Sequence, residues 1–391
     1  MSKLINIERE LNPFPLYQQM RQHDPVYKDP RRQNWNIFRY DDVQRTLSDW
    51  KTFSSEFSKG HQGNAAMPFA ASMISSDPPR HRQLRSLVTQ AFTPKAVEAL
   101  GPRIGEIVKA QLDQVMDQGE MDIIHDLGIP LPVTVIAELL GIPSADRERF
   151  KHWSDVVVGL ANFGENFDPA QFMNADVLEM SQYFFNMIME RRQTPGEDLI
   201  SGLLAANIDG EQLNEIELLG FCALLLVAGN ETTTNLIGNA MLTFAEQPEA
   251  WHMLRNNPDL LDSAIEEVLR FRSPVQAMFR LTCEEVEMAG ETIPANARVV
   301  AWIGSANHDE SQFPEPECFE IEREPNRHLA FGHGIHYCLG APLARLEAGI
   351  ALREMLERFR TFKIPWETEL EPLPSLIVFG VRSLPIRFQK A

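Results

Sequence analysis

The 391-residue chain is short of cysteine, of basic charge and of long apolar runs, and each shortage excludes something. Its four cysteines, Cys222, Cys283, Cys318 and Cys338, form no CxxC pair, no CxxCH haem-attachment site and no zinc-type spacing. So sparse a set suits a reducing compartment, and the expected location is the cytoplasm. Lys plus Arg number 36 against 55 Asp plus Glu, a formal net charge of −19. Non-specific nucleic-acid binding and adhesion to anionic lipid both need the opposite sign, so neither nucleic acid nor membrane is an expected partner. The N-terminus carries no apolar leader. The most apolar window, residues 218–228, is too short to cross a bilayer and reads as part of a buried helix. Repeats and low-complexity linkers are also missing. The expected organisation is one continuous unit over residues 1–391, a monomer without a fused reductase.

What is present is a globular composition, 44% hydrophobic and 23% charged. Residues 25–38 read as a hairpin, with β-branched and aromatic residues flanking a polar turn. Residues 79–247 are helical in pattern, broken at Pro130, Pro132, Pro143 and Pro195. Strand signals return at 286–293, with a turn at Gly290-Glu291, and at 298–303. In the tail, 375–388, apolar residues alternate around Gly380 and Pro385. A large helical body with small peripheral sheets follows.

The sharpest local feature is Phe331-Gly-His-Gly-Ile-His-Tyr-Cys338-Leu-Gly-Ala-Pro-Leu-Ala-Arg345. Gly332, Gly334 and Gly340 allow tight turns and a close approach to whatever Cys338 touches. Residues 339–356 then take helical apolar spacing, with Pro342 tolerated in the first turn. Cys338 therefore sits just ahead of a helix N-terminus, where free N–H groups favour a thiolate. Such a thiolate serves as nucleophile, redox group or metal ligand. For an isolated cysteine, a buried structural role is the commoner one.

The loop resembles the haem-ligand loop of the cytochrome P450 family, FGxGxHxCxGxxLAR. The matching residues are Phe331, Gly332, Gly334, His336, Cys338, Gly340, Leu343, Ala344 and Arg345. The likeness runs over nearly the whole chain and is greatest to the soluble bacterial members. It implies a mainly α fold with small β-sheets, in which a long central helix sandwiches haem b against the Cys338 loop. Phe331, Gly332 and Gly340 would then lie against the cofactor.

Residues 213–247 contain no proline and are apolar on most faces through Leu226, so they should form a long buried helix. Ala228-Gly-Asn-Glu231-Thr232-Thr233 interrupts it with polar residues. Gly229 leaves space beside a groove, and the Thr232 hydroxyl can turn back to the Ala228 carbonyl and open the helix. A helix bend with a solvated acid explains the segment equally well on sequence alone. The segment is similar to the family's oxygen-binding helix, which implies that Thr232 hydrogen-bonds bound oxygen or its water. Glu231 would feed protons inward.

Glu267 and Arg270, three apart, share a helix face and read by themselves as an ordinary surface pair. The family's ExxR motif implies a buried pair behind the cysteine loop. Its third member is Arg323 or His328, because Cys318 stands where the family's PxRF element carries arginine. His81 and Arg85, one turn apart in Asp77-Pro-Pro-Arg-His81-Arg-Gln-Leu-Arg85, match DPPxHxxxR. The match implies that they bind a haem propionate, together with Arg280 and His336. Charge-assisted bonds from Arg and His to two carboxylates are physically reasonable.

The resemblance thus implies a monooxygenase. It would insert one atom of O2 into a hydrophobic small molecule, most simply as a hydroxylation, with Cys338 as the iron ligand. No GxGxxG or ferredoxin cysteine cluster is present, so electrons are expected from a separate ferredoxin or flavodoxin with its reductase. Arg82, Lys109, Arg345 and Arg353 form the expected docking patch. The expected substrate pocket comprises residues 67–73, including Met67 and Phe69, with Ala228, Val275, Met278, Ile377 and Val378. A peroxide-driven peroxygenase and a non-catalytic haem-thiolate binding protein are the alternatives. Glu231 and Thr232 argue against the first, and the want of a partner-binding module against the second.

Overall fold

The computed structural model describes Leu4 and residues 11–57, 71–161, 174–208 and 210–391. The chain divides into two units. One is built from Met1–Phe53, Leu100–Leu131 and Thr232–Ala391, the other from Ser54–Ala99 and Pro132–Glu231.

The described strands are β1 (Val26–Lys28), β2 (Trp35–Ile37), β3 (Phe53–Ser54), β4 (Glu120–Asp122) and β5 (Ala277–Thr282). They continue with β6 (Val286–Met288), β7 (Glu291–Ile293), β8 (Arg298–Trp302), β9 (Phe359–Lys363) and β10 (Pro385–Lys390). The largest sheet has the order β1-β2-β8-β5-β3. β1 and β2 are the expected hairpin, with Val26 opposite Ile37. β8 lies parallel to β2 and antiparallel to β5. After Arg298 every residue of β8 is apolar, because both sheet faces are covered. Val299 and Ala301 join a cluster with Ile37, Phe53 and Phe313. Val300 and Trp302 join another with Phe14, Tyr17 and Phe38. β6 and β7 turn at Ala289-Gly290, one residue earlier than the sequence suggests, and both turn residues take positive φ (48° and 84°) as a two-residue hairpin requires. The tail is strand only over β10, which pairs with β4 and β9. Its earlier part touches the rest through the isolated bridges Val275↔Val378 and Pro372↔Val381.

The central helix, Glu215–Glu246, has 32 residues and is unbroken through 228–233, so the expected opening there does not occur. By length and composition alone it is long enough to cross a membrane, but 56% of its most apolar window is buried within the protein. It outlasts the apolar window because polar residues beyond Ala228 find partners. Thr234 Oγ1 donates to Gly128 O at 2.7 Å. Asn239 Nδ2 donates to Arg272 O at 3.0 Å and Phe379 O at 3.1 Å.

The described part of the second unit is helical, and side chains cap some of its helix starts, though not that of Arg80–Ala91. Asn174 Oδ1 accepts from Val177 N ahead of Ala175–Gln193, and Asp198 Oδ1 accepts from Ser201 N ahead of Leu199–Ala205, each at 2.9 Å. Pro130 and Pro132 do not break a helix. They open one, Pro130–Leu139, where a missing N–H costs nothing.

Candidate functional site

The cysteine loop belongs to the first unit. Gly332 and Gly334 take φ of 74° and 71°. A Cβ on Gly334 would stand 2.8 Å from Ser48 Cα, so glycine is required there twice over. Gly340 has an ordinary φ of −80° and caps the helix Ala341–Arg358, which starts two residues later than its pattern suggests. Cys338 N donates to Phe331 O at 2.9 Å, closing the loop and leaving the Cys338 side chain exposed. His336 ends a single tight turn, Gly334–His336, and is half-buried.

Behind the loop, Glu267 and Arg270 on Leu261–Phe271 are wholly buried. Arg270 donates Nε to Glu267 Oε2 at 2.8 Å and Nη2 to Oε1 at 2.7 Å. Its remaining donors reach the carbonyls of Asn307, Pro316 and Cys318 at 2.9–3.0 Å. The third member is Arg323, whose Nε donates to Glu267 Oε1 at 3.1 Å. Glu320 N and Asn326 Nδ2 add donors at 3.0 Å. His328 instead contacts Glu266 at 3.0 Å. Arg345 grips Glu266 with Nε at 2.6 Å and Nη2 at 2.8 Å, and lies over the Phe331 ring at 4.4 Å. Burial pushes the Glu266 carboxyl up, but Arg345 and His328 outweigh it and hold it at about 2.

Arg280, on β5, is buried and donates Nη1 to Phe279 O at 2.8 Å. Val275 and Val378, from segments a hundred residues apart, face each other as a bridge, and with Met278 and Ile377 they are half-buried. Thr232, the first central-helix residue of this unit, is half-buried.

In the second unit, Glu231 is half-buried and burial lifts its carboxyl to about 7. Ala228 is exposed. The space left by Gly229 is filled by Ile136, whose Cδ1 would lie 2.9 Å from an added Cβ. His81 and Arg85 lie one turn apart on Arg80–Ala91, His81 buried and Arg85 half-buried. Burial and the Arg85 charge push the His81 imidazole down to about 4. Met67 and Phe69 lie outside the described residues.

The sequence profile described as Cytochrome P450 matches residues 4–389. The chain belongs to the cytochrome P450 family. It is 45% identical to cytochrome P450 109 of Bacillus spizizenii over 99% of this chain and 94% of that one. It is 41% identical to the erythromycin C-12 hydroxylase of Saccharopolyspora erythraea, covering 94% and 92%. The crystal structure of CYP109E1 from Bacillus megaterium in complex with testosterone superposes with a TM-score of 0.87, at 44% identity, over 96% of this chain and 99% of that one. This cytochrome P450 is therefore a haem-thiolate monooxygenase with the fold of that family. It uses haem b and O2 to oxygenate hydrophobic small molecules, with electrons from a redox partner such as a ferredoxin.

The residues present suit that cofactor. A thiol stands exposed at a glycine-shaped loop ahead of a helix N-terminus, and the first unit holds a buried guanidinium at Arg280.

Two expectations about surface charge change. Arg345 is committed to Glu266, and Lys109 lies 3.4 Å from Glu354, so two of the four docking cations are already countered. Arg82 and Arg353 are exposed and form no ion pair among the described residues. Sequence reasoning missed the Glu266–Arg345 clasp and Asn239, whose only signal is a polar residue in an apolar helix. It also missed Glu347, a buried acid whose carboxyl burial raises to about 8.

Proposed function

We propose that Cys338 is the proximal ligand of this monooxygenase and that the chain works as one haem domain. The observation that carries the assignment is the exposed Cys338 side chain, in a loop closed by its own N–H to Phe331 O. Haem held by a thiolate supplies oxygen activation and the transfer of one oxygen atom to the substrate. Arg280, His336, His81 and Arg85 would bind its carboxylates. Burial and the Arg85 charge push the His81 imidazole down, which a bound carboxylate would oppose, while the arginines carry their charge throughout. Phe331, Gly332 and Gly340 would hold the ring, and the Glu267–Arg270–Arg323 cluster fixes the loop from behind.

On the opposite side Glu231, with its carboxyl poised near neutrality by burial, holds a proton and passes it toward the Thr232 hydroxyl. Val275, Met278, Ile377 and Val378 would orient an apolar substrate and exclude water. CYP109E1 was crystallised with testosterone, and another relative is named for hydroxylating erythromycin. A rigid polycyclic or macrocyclic molecule, hydroxylated at an unactivated carbon, is the substrate class these relatives support. Electrons come from a ferredoxin or flavodoxin with its reductase, and the protein acts as a cytoplasmic monomer.

The test is the carbon monoxide difference spectrum of the dithionite-reduced protein. A strongly red-shifted Soret band, lost in Cys338→Ala, is the expected result. A band typical of histidine-bound haem in the parent protein, or an unchanged band in the variant, would overturn the assignment.

A further inference from the structure

Gln276 is surrounded by an unusual convergence of hydrogen bonds, all within the first unit. Its backbone N donates to Ile377 O at 2.6 Å, and its carbonyl accepts from Gly304 N at 3.1 Å. The side-chain Nε2 donates to Ser273 O at 2.7 Å. Oε1 accepts from the Tyr17 hydroxyl at 2.8 Å, across 259 residues of sequence. Three distant segments thus meet on one buried residue and its own stretch at Ser273: the helix Phe14–His23, the short helix Ile303–Ala306 and the tail loop at Ile377. The fit is tight. A Cβ on Gly304 would come within 1.9 Å of Gln276 Oε1, so only glycine lets the amide sit there. Tyr17 is itself buried, and burial raises its pKa, so the hydroxyl remains a donor.

Gln276 adjoins Val275, which bridges Val378. Side chains of successive residues in extended chain point to opposite sides, so holding Gln276 by its amide fixes where Val275 stands. Packing shares this work on the far side of the tail loop, where Leu376 joins the buried cluster of Phe14, Tyr17 and Trp302. A small cleft also opens there, lined by Tyr17, Gln276, Leu373, Leu376, Val378 and Phe379. Beside a cleft the register of a loop depends on its directional hydrogen bonds, which fix its position where packing leaves room.

We propose that Tyr17 and Gln276 are positioning residues for the substrate wall, and that the Tyr17–Gln276 hydrogen bond sets the placement of Val275 and Val378 and hence which ligands the pocket accepts. This rests on the assignment of Val275 and Val378 to that pocket. Neither Tyr17 nor Gln276 is assigned any contact with substrate or cofactor.

The experiment uses the haem-loaded protein and two probes, imidazole and 4-phenylimidazole, titrated optically through the Soret band. Both place a ring nitrogen on the iron, but only the second presents a phenyl ring to the wall. The readout is the ratio of the two dissociation constants, which a general loss of stability does not move. Val378→Ala tests the wall and should change the ratio. Tyr17→Phe deletes only the hydroxyl and should change it by roughly fivefold, the equivalent of one buried hydrogen bond, with imidazole affinity held. Gln276→Leu removes this bond and the one to Ser273 O and should shift the ratio at least as far, and the double variant should be no worse than Gln276→Leu alone, since Tyr17→Phe breaks only a bond that variant has already lost. A shifted ratio in Val378→Ala with none in Tyr17→Phe and Gln276→Leu overturns the brace and leaves the wall standing. No shift in Val378→Ala overturns the wall assignment instead. Equal weakening of both probes in Tyr17→Phe reduces the bond to a stabilising one and also refutes the proposal.

Discussion

Replacing Arg323 by alanine probes the cluster behind the cysteine loop most directly. Glu267 is wholly buried and receives the Arg270 fork, Arg323 Nε, Glu320 N and Asn326 Nδ2. Arg323→Ala removes one charge-assisted bond, of about 1.5–3 kcal/mol. It also strips Pro314 O of the donor it has at 2.7 Å, adding about 1 kcal/mol. Cys318 O loses a donor at 3.0 Å but keeps Arg270 at 2.9 Å, so it adds little. The sum is about 2.5–4 kcal/mol. It stays below the cost of orphaning a buried charge outright because Arg270 still neutralises Glu267. His328→Ala, by contrast, leaves Glu266 gripped by both Arg345 nitrogens and should cost only about 1 kcal/mol. Cofactor loss makes unfolding other than two-state, so the comparison is the urea concentration at which half of the red-shifted carbon monoxide band is lost. The midpoint should fall severalfold further in Arg323→Ala than in His328→Ala. Equal losses, or the reverse order, would refute the assignment of Arg323 as the third member.

Three other outcomes follow from the site. Thr232→Ala should keep substrate binding but divert consumed oxygen to peroxide, with product per oxygen down severalfold; fully coupled turnover would contradict the relay. Burial raises the Glu231 carboxyl from 4.5 to about 7, so the folded protein holds a proton that the unfolded chain releases in between. The resulting stability is complete below about pH 4.5 and is lost as pH rises through 7, at most about 3 kcal/mol. Glu231→Gln should abolish that slope, read as unfolding midpoints across pH 4–8, and an unchanged slope would place the titration elsewhere. Arg353→Glu should slow reduction by a ferredoxin and flatten its salt dependence more than Lys109→Glu does, because Glu354 already counters Lys109. Stopped-flow reduction at two ionic strengths decides between them.

Much of this architecture can be read from local pattern. The hairpin at β1 and β2 and the β6–β7 turn are fixed by near neighbours, and the cysteine loop by its glycines. The misses share a cause, which is dependence on partners distant in sequence. β5 is a strand because β8 lies beside it, and β8 is apolar throughout because two clusters cover it. Pro130 and Pro132 read as breaks because proline position within a helix is invisible until the start is known. The choice between Arg323 and His328 depends on which of the adjacent acids, Glu266 and Glu267, each one reaches. Charge counting gives four free docking cations, whereas folding brings an acid to two of them.

The position of Cys318 has a practical corollary for anyone repairing or aligning this sequence. What both arginines use there is the backbone carbonyl, while the thiol is exposed. The side chain at that position is therefore spare, and the cluster's other guanidinium comes from Arg323, five residues along the chain. Cys318→Arg would add a cation to the surface and no member to the cluster. Cys318→Ser, conversely, should remove an oxidisable thiol from the surface at almost no cost to the fold.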